Sequence, residues 1–386
     1  MTRMSTIRVA SSSTSCTSLA VSELSDQLAG QQYAVILFFC ADSFDQGSLA
    51  SAMRDQFPAS TALLGCTTAG EIGPAGYQHD SIVAIGFPAD DFSVTTTLLP
   101  HLNEFNIADC EQHIRNALQR TTSFEPNEKA QGQFAFLLID GLSRREEALG
   151  KAVQLTLGSI PVIGGSAGDS LQFRQTCVFH DGSFHNNAAV LAIISTRLRY
   201  CFVKAQHFEP TANRMVITGA IPESRIVTEI NGYPAATEYA RIVGIPPELL
   251  NPDAFAAFPV VVRIGDQEYV RSIQKVNPDN SLSFYCAIDT GVVLSRALGI
   301  DPMHNLIAAL DAADAEIGPL QAVLACDCIL RNLEFRQSGQ LDEMSALLRE
   351  RKVTGFLSFG ELHRRIHVNQ TFNGIAFGQV ADSKVQ

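Results

Sequence analysis

A pattern that recurs three times along the 386 residues constrains the fold more than any other feature. Each copy opens with an apolar run, passes through an amphipathic helix, returns in a strand ending in a glycine-rich turn, and closes with another apolar strand. The first copy reads AVILFFCA (34–41), a helix over Gln46 to Phe57, LLGCTTAGE (63–71) and SIVAIGF (81–87). The second reads FAFLLIDG (134–141), a helix near Arg145 to Leu157, PVIGGSAGD (161–169) and AAVLAII (188–194). The third reads AVLACDCIL (322–330), a helix near Leu341 to Arg351, VTGFLSFGE (353–361) and FNGIAFG (372–378). Short apolar runs bounded by turn residues read as buried strands, and helices interleaved with them require sheets covered by helices. The pattern predicts an α/β to α+β protein with mixed sheets, built on a strand-helix-strand-glycine-turn-strand unit repeated three times.

The turns are alike in detail. Gly65 and Gly70 are spaced like Gly355 and Gly360, and each pair is followed by a glutamate, Glu71 or Glu361. The second turn, Gly164 to Gly168, is one residue shorter and is followed by Asp169. A hydroxyl stands two residues before the last glycine each time: Thr68, Ser166 and Ser358. Glycine at a strand exit permits close backbone approach. Free amides and a hydroxyl there can hold a small ligand, with the acid anchoring a basic group. The same residues also serve a plain tight turn. They do not make a phosphate cradle, because no lysine follows and the segment leads into a strand and not a helix.

Between the second and third copies the chain changes character. MVITGA (215–220), SRIVTEING (224–232) and PVVVRIG (259–265) read as strands, and helices are expected over Ala235 to Val243 and Ala308 to Ile317. This places an N-terminal module at 30–215 and a C-terminal module at 216–386. Hydrophobic residues make up 46% and charged residues 18%, which excludes disordered and coiled-coil classes. The longest apolar run, Tyr33 to Ala41, is too short to span a membrane. Met1 to Met4 lead into serines and threonines and not into a secretory core, so a cytoplasmic location is expected. The net charge of −12 and the shortness of the basic stretches (Arg349 to Lys352, Arg364-Arg365) argue against nucleic acid and anionic membranes as partners. Nine cysteines without a CxxC pair give little support to a zinc site or a disulfide framework.

LLGCTTAGE, PVIGGSAGD, RIVTEINGYPAATEYA (225–240), CDCILR (326–331) and GFLSFGE followed by HVNQTF (367–372) together resemble the FIST family of bacterial sensory proteins, from about residue 30 to 380. RIGDQEYVRSIQKVN, SLSFYCAIDTGVVL and HVNQTF are similar to its nitric-oxide-sensing heme subgroup, the NosP proteins. The resemblance implies a sensor that binds heme b non-covalently, responds to nitric oxide and regulates a partner histidine kinase; a homo-oligomer is allowed. An alternative within the family is a sensor of an amino-acid-like metabolite, without heme.

A non-covalent heme needs an axial side chain, most often histidine. His207 ends an apolar strand where the repeated region gives way to the C-terminal module, beside Phe208 and Pro210, and is the leading candidate metal ligand; His367, beside the third glycine turn, is the runner-up. Arg225, Arg241, Arg263 and Arg271 are candidate partners for the propionates, because guanidinium pairs well with carboxylate. Cys326 and Cys328 fall on one face of a strand, with Asp327 facing the other way as an exposed or ligand-facing acid would. Cys66 lies within a glycine turn but has no histidine in the same motif, so an enzyme is not expected. On the resemblance, protein reconstituted with heme is expected to show a Soret band that shifts when nitric oxide meets the ferrous form.

Overall fold

The computed structural model describes residues 6–121, 132–363 and 366–380. Met1 to Met4 and the cationic pair Arg364 and Arg365 lie outside the described residues. Three six-stranded sheets share one strand order. The first runs Arg8–Ser12, Ile82–Pro88, Tyr33–Ala41, Ala62–Thr68, Val178–His180, Ser183–His185. The second runs Phe92–Leu99, Ala189–Thr196, Gly132–Ile139, Val162–Ser166, Glu361–His363, Ile366–Val368. The third runs Leu198–Ala205, Phe372–Val380, Ala322–Cys328, Val353–Ser358, Glu71–Gly73, Gly76–Gln78. In each sheet the third and fourth strands are parallel and connected through helix, and the other neighbours are antiparallel. The sheets are therefore mixed and flanked by helices.

Each sheet is closed by a hairpin from elsewhere in the chain. Residues 71–78 leave the first sheet's own segment and pair with Val353–Ser358 of the third. Residues 178–185 pair with Ala62–Thr68 of the first, and residues 361–368 with Val162–Ser166 of the second. Both faces of the sheets are buried. Val35, Leu37 and Phe39 face a central core shared with Phe134, Phe136, Leu324 and Phe356, whereas Ile36, Phe38 and Cys40 face the helices Thr17–Leu28 and Gln46–Gln56. A strand buried on both faces has no use for polar alternation, which is why these runs are continuously apolar. Phe39 stacks on Phe356 at 4.7 Å across the centre, joining the first sheet to the third.

A fourth, antiparallel sheet of eight strands is inserted between Leu198–Ala205 and Ala322–Cys328 of the third. The chain enters it through Phe208–Ile221 and leaves through Val293–Gly299, two paired strands, before helix Pro302–Ile317 returns to the core. Asp301 caps that helix by accepting from the amides of Met303 and His304, with proline at its first turn.

Two local readings differ from the sequence. The run AVLACDCIL is strand only to Cys328; Ile329–Ser338 is a helix that buries Ile329, Leu330 and Phe335. Apolar composition continues across the junction, so periodicity could not divide the run. Cys326 accordingly packs in the central core and Cys328 in the cluster under the helices, not side by side, and Asp327 is fully buried.

The first glycine of each turn has a steric reason. A Cβ at Gly164 would land on the carbonyl oxygen of Leu137, and one at Gly355 on that of Ala325, in the parallel neighbour strand; at Gly65 it would meet Phe38. Gly355→Ala is expected to lower the urea midpoint by an amount equivalent to about 3 kcal/mol or more. Gly47→Ala, where the Cβ meets only Asp45 Oδ2 at 3.6 Å, is expected to change stability by no more than about 1 kcal/mol.

Candidate functional site

The three glycine turns meet and bond to one another. Ala69 N donates to Leu357 O (3.1 Å) and Leu357 N to Gly70 O (2.7 Å), tying the first turn to the third. Gly168 N donates to Thr67 O (3.0 Å), and Ser166 N to Gly360 O (2.9 Å), tying the second to both. The hydroxyls are also engaged: Thr68 Oγ1 donates to Glu71 Oε1, Ser358 Oγ to Glu361 Oε1 and Ser166 Oγ to Glu146 Oε1. Thr68, Ser166 and Ser358 are buried. The turns thus spend their polar groups on one another and on buried acids.

His207 is fully buried and both its ring nitrogens are taken. Arg331 Nη1 lies 2.9 Å from Nδ1, and Glu334 lies 2.9 Å from Nε2. Because arginine can only donate, Nδ1 accepts and the proton sits on Nε2, facing Glu334. Arg331, itself fully buried, donates from Nε to Asp327 Oδ1 (2.8 Å), and Tyr77 donates to the other oxygen of Asp327. Burial pushes the His207 pKa down, against the pull of Glu334. The chain crosses to the inserted sheet at this point, where Ile300 N donates to His207 O (2.7 Å). His207 therefore fastens the two strands of the crossing to helix Ile329–Ser338.

His367 is also buried. Its Nδ1 is 3.2 Å from Glu147 Oε1, and its Nε2 faces Gly360, where a Cβ would collide with it. Both ring nitrogens of His207 are bonded, so it does not fit axial ligation of heme iron; His367 keeps Nε2 without a hydrogen-bond partner, buried against Gly360. The four arginines do not converge either. Arg241 pairs with Glu238 (2.7 Å) and Arg263 with Glu268 (2.9 Å), both at the surface. Arg263 and Arg271 border one groove of about 740 Å³ on the inserted sheet, and Arg271 donates to His367 O (3.0 Å).

Arg225 stands apart. It has left-handed backbone geometry (φ 56°) and reaches from the inserted sheet to Glu146 Oε2 (2.5 Å) and Glu147 Oε2 (2.8 Å), in the first turn of helix Glu146–Leu157. Ala287 N donates to the other oxygen of Glu147. Burial opposes the charge on Glu147, but His367 and Arg225 outweigh it and hold the carboxyl well below the usual range. Glu146, Glu147 and His367 bring ligand atoms within 4.8 Å of one another, a metal-like set in which the Arg225 guanidinium already serves as the cation. A cleft of about 400 Å³ opens above this cluster, between the core and the inserted sheet. Gly141, Leu142, Arg144, Glu146, Phe173 and Phe359 form its core wall, and Arg225, Gln274, Lys275, Asn277, Ser283 and Tyr285 much of the opposite one.

Sequence reasoning singled out Arg225 but not its partners. A Glu-Glu pair opening a helix is a legible signal, since acids favour the helix N-terminus. Asp327 and Arg331, four apart, were legible in the same way. Burial pushes the Cys66 and Cys326 thiols well above their ordinary range.

Interlocked mixed sheets with an inserted module and a cleft between them define a two-part α/β protein. Residues 34–233 match the FIST N domain and residues 235–364 the FIST C domain; the chain belongs to the FIST family, whose domains are sensory domains of signal transduction. An uncharacterized protein of Methanocaldococcus jannaschii is 22% identical over 254 residues, 57% of this chain and 49% of that protein, so the match spans about half of its relative. The crystal structure of cyanuric acid hydrolase from A. caulinodans aligns with 97% of this chain and 100% of its own at 10% identity, with a TM-score of 0.39, a likeness too distant to carry an argument. Among the described residues, no helix is long and apolar enough to cross a membrane.

The acids behind the first and third turns give a pH prediction. Burial raises Glu71 to about 7 and Glu361 to about 8, against hydrogen bonds from Ser81 and Thr68 and from Ser358 and Thr371. Between the ordinary value of 4.5 and these values, the folded chain keeps protons that the unfolded chain has lost. Their contribution is therefore complete below the ordinary value and shrinks as pH rises, by on the order of 1 kcal/mol per pH unit for each acid. Urea midpoints of wild type and Glu361→Gln from pH 5 to 8 are expected to converge or cross, with the wild type losing more; parallel profiles would show that Glu361 is ionised throughout.

Proposed function

We propose that this chain is a small-metabolite sensor whose ligand occupies the cleft between the core and the inserted sheet, and which passes occupancy to a partner histidine kinase. The observation that carries the reading is the position of Arg225. It clasps two core carboxylates at the cleft floor, so a ligand there touches both bodies and the bond between them. A ligand shifts a conformational balance only through its different affinity for the two arrangements, and a cleft with walls from two bodies supplies that difference. An amino-acid-like ligand, through its carboxylate, suits walls that carry the cationic Arg144 and Lys275 beside aromatic rings. The reading of a heme-based nitric oxide sensor rests on the resemblance of residues 263–277, 281–294 and 367–372, while the bonding of both nitrogens of His207 weighs against it.

The test is a thermal-shift screen of the full chain against amino acids, organic acids and hemin, with a visible spectrum taken in parallel. Stabilisation by a small metabolite that is lost in Lys275→Glu, a substitution at the cleft rim, is expected. Tight retention of hemin with a Soret band that shifts on adding nitric oxide, unaffected by Lys275→Glu, would overturn the proposal in favour of heme.

A further inference from the structure

The walls of the cleft narrow the chemistry of what it holds. Phe173 sits on a loop whose backbone is left-handed at Ser170 (φ 53°), Leu171 (φ 64°) and Phe173 itself (φ 53°). Such a run of non-glycine residues is costly and persists only where the surroundings impose it. Asp169 imposes it: its carboxylate accepts from the amides of Phe173 (2.8 Å), Arg174 (2.5 Å) and Gln175 (3.0 Å). The loop thereby holds a ring that is 38% exposed over the cleft. That ring lies 4.9 Å from Phe359 at an interplanar angle of 28°, and 6.3 Å from Tyr285 at 38°. Phe173 is thus stacked on Phe359 of the core, with Tyr285 of the inserted sheet tilted beside it.

The charges are equally selective. Glu146 and Glu147 share the single positive charge of Arg225. Arg144 and Lys275, on opposite walls, have no acidic side chain within ion-pair distance among the described residues. Three cations, Arg144, Arg225 and Lys275, thus stand against two carboxylates, and the balance at the cleft is positive in a protein whose net charge is −12.

On the reading that this cleft is the sensory site, we infer that its ligand is a planar aromatic carboxylate, with its ring against the aromatic cluster of Phe173, Phe359 and Tyr285 and its carboxylate between Arg144 and Lys275. Stacked rings contribute beyond the area they bury, and guanidinium favours a carboxylate over a neutral group.

Anthranilate is a suitable probe, since its fluorescence is read against a chain without tryptophan. Titrations of the full chain with anthranilate, and competition by benzoate, cyclohexanecarboxylate and benzyl alcohol, separate ring from charge. The aromatic acids are expected to bind about tenfold more tightly than cyclohexanecarboxylate, as stacking predicts, and benzyl alcohol is expected not to compete. Phe173→Leu should erase the preference for the aromatic acids, and Arg144→Gln should weaken all three acids together. If cyclohexanecarboxylate binds as well as benzoate and is still weakened by Arg144→Gln, the aromatic assignment falls and the cleft stands. If aromatic acids bind equally to wild type and both variants, the cleft itself is the wrong site. Failure of every aromatic acid to bind at millimolar concentration overturns the inference outright.

Discussion

Backbone hydrogen bonds between the three glycine turns fix how the sheets can be closed. Each turn sits at a strand exit, and beyond it the chain must leave its own sheet, because the position beside the fourth strand is filled by a hairpin from another segment. The turn can make that departure only if its backbone comes within bonding distance of the other two. The glycines, the small residues and the buried hydroxyls follow from that crowding. So do Glu71 and Glu361, which accept hydrogen bonds from a hydroxyl within the turn and from a second hydroxyl, Ser81 or Thr371, at the start of the closing strand. The acids thus staple the exit of each detour to its return.

What could be read beforehand depended on whether the cause was local. The strand and helix of each segment are written in the period of their apolar residues, so Tyr33–Ala41, Glu146–Leu157 and Val353–Ser358 were legible. Pairing partners are not. Nothing within LLGCTTAGE states that residues 71–78 pair with Val353–Ser358 far along the chain. The same limit explains His207. Its apolar neighbours and its place between modules mark it as buried and special, but Arg331 and Glu334 lie more than a hundred residues away. A buried histidine held by an arginine and a glutamate looks, in one dimension, like one waiting for a metal. Arg225 was picked out for its ability to bind carboxylate, which it does, though the carboxylates belong to the chain itself.

The inserted sheet is held to the core by polar contacts more than by a continuous apolar seam. Arg225 with Glu146 and Glu147, Arg271 with His367 O, and Ser272 with Gln370 form one side. The crossing at His207 and Ile300 forms the other. Its hydrophobic cluster, around Tyr239, Phe255, Val260 and Leu294, is separate from the clusters of the three sheets. Part of that seam is a buried ion pair, and separating Arg225 from Glu146 would leave a buried charge without its partner, so the inserted sheet is fixed to the core at that point while its own interior is packed independently.

The traded hairpins also bear on the order in which the molecule comes into being. A ribosome releases residues 33–99 long before residues 361–368, yet the second sheet cannot be completed without the latter. The first sheet has all its strands once residue 185 has emerged. Val162–Ser166 must wait, with an unpaired backbone edge, for almost the rest of the chain to be translated. An edge left open for so long is a place where nascent chains can pair with one another. Its strand is only five residues long, and it contains the glycines Gly164 and Gly165, which weaken any premature partnership. The same glycines that let the finished strands approach each other would also keep the unfinished molecule out of trouble.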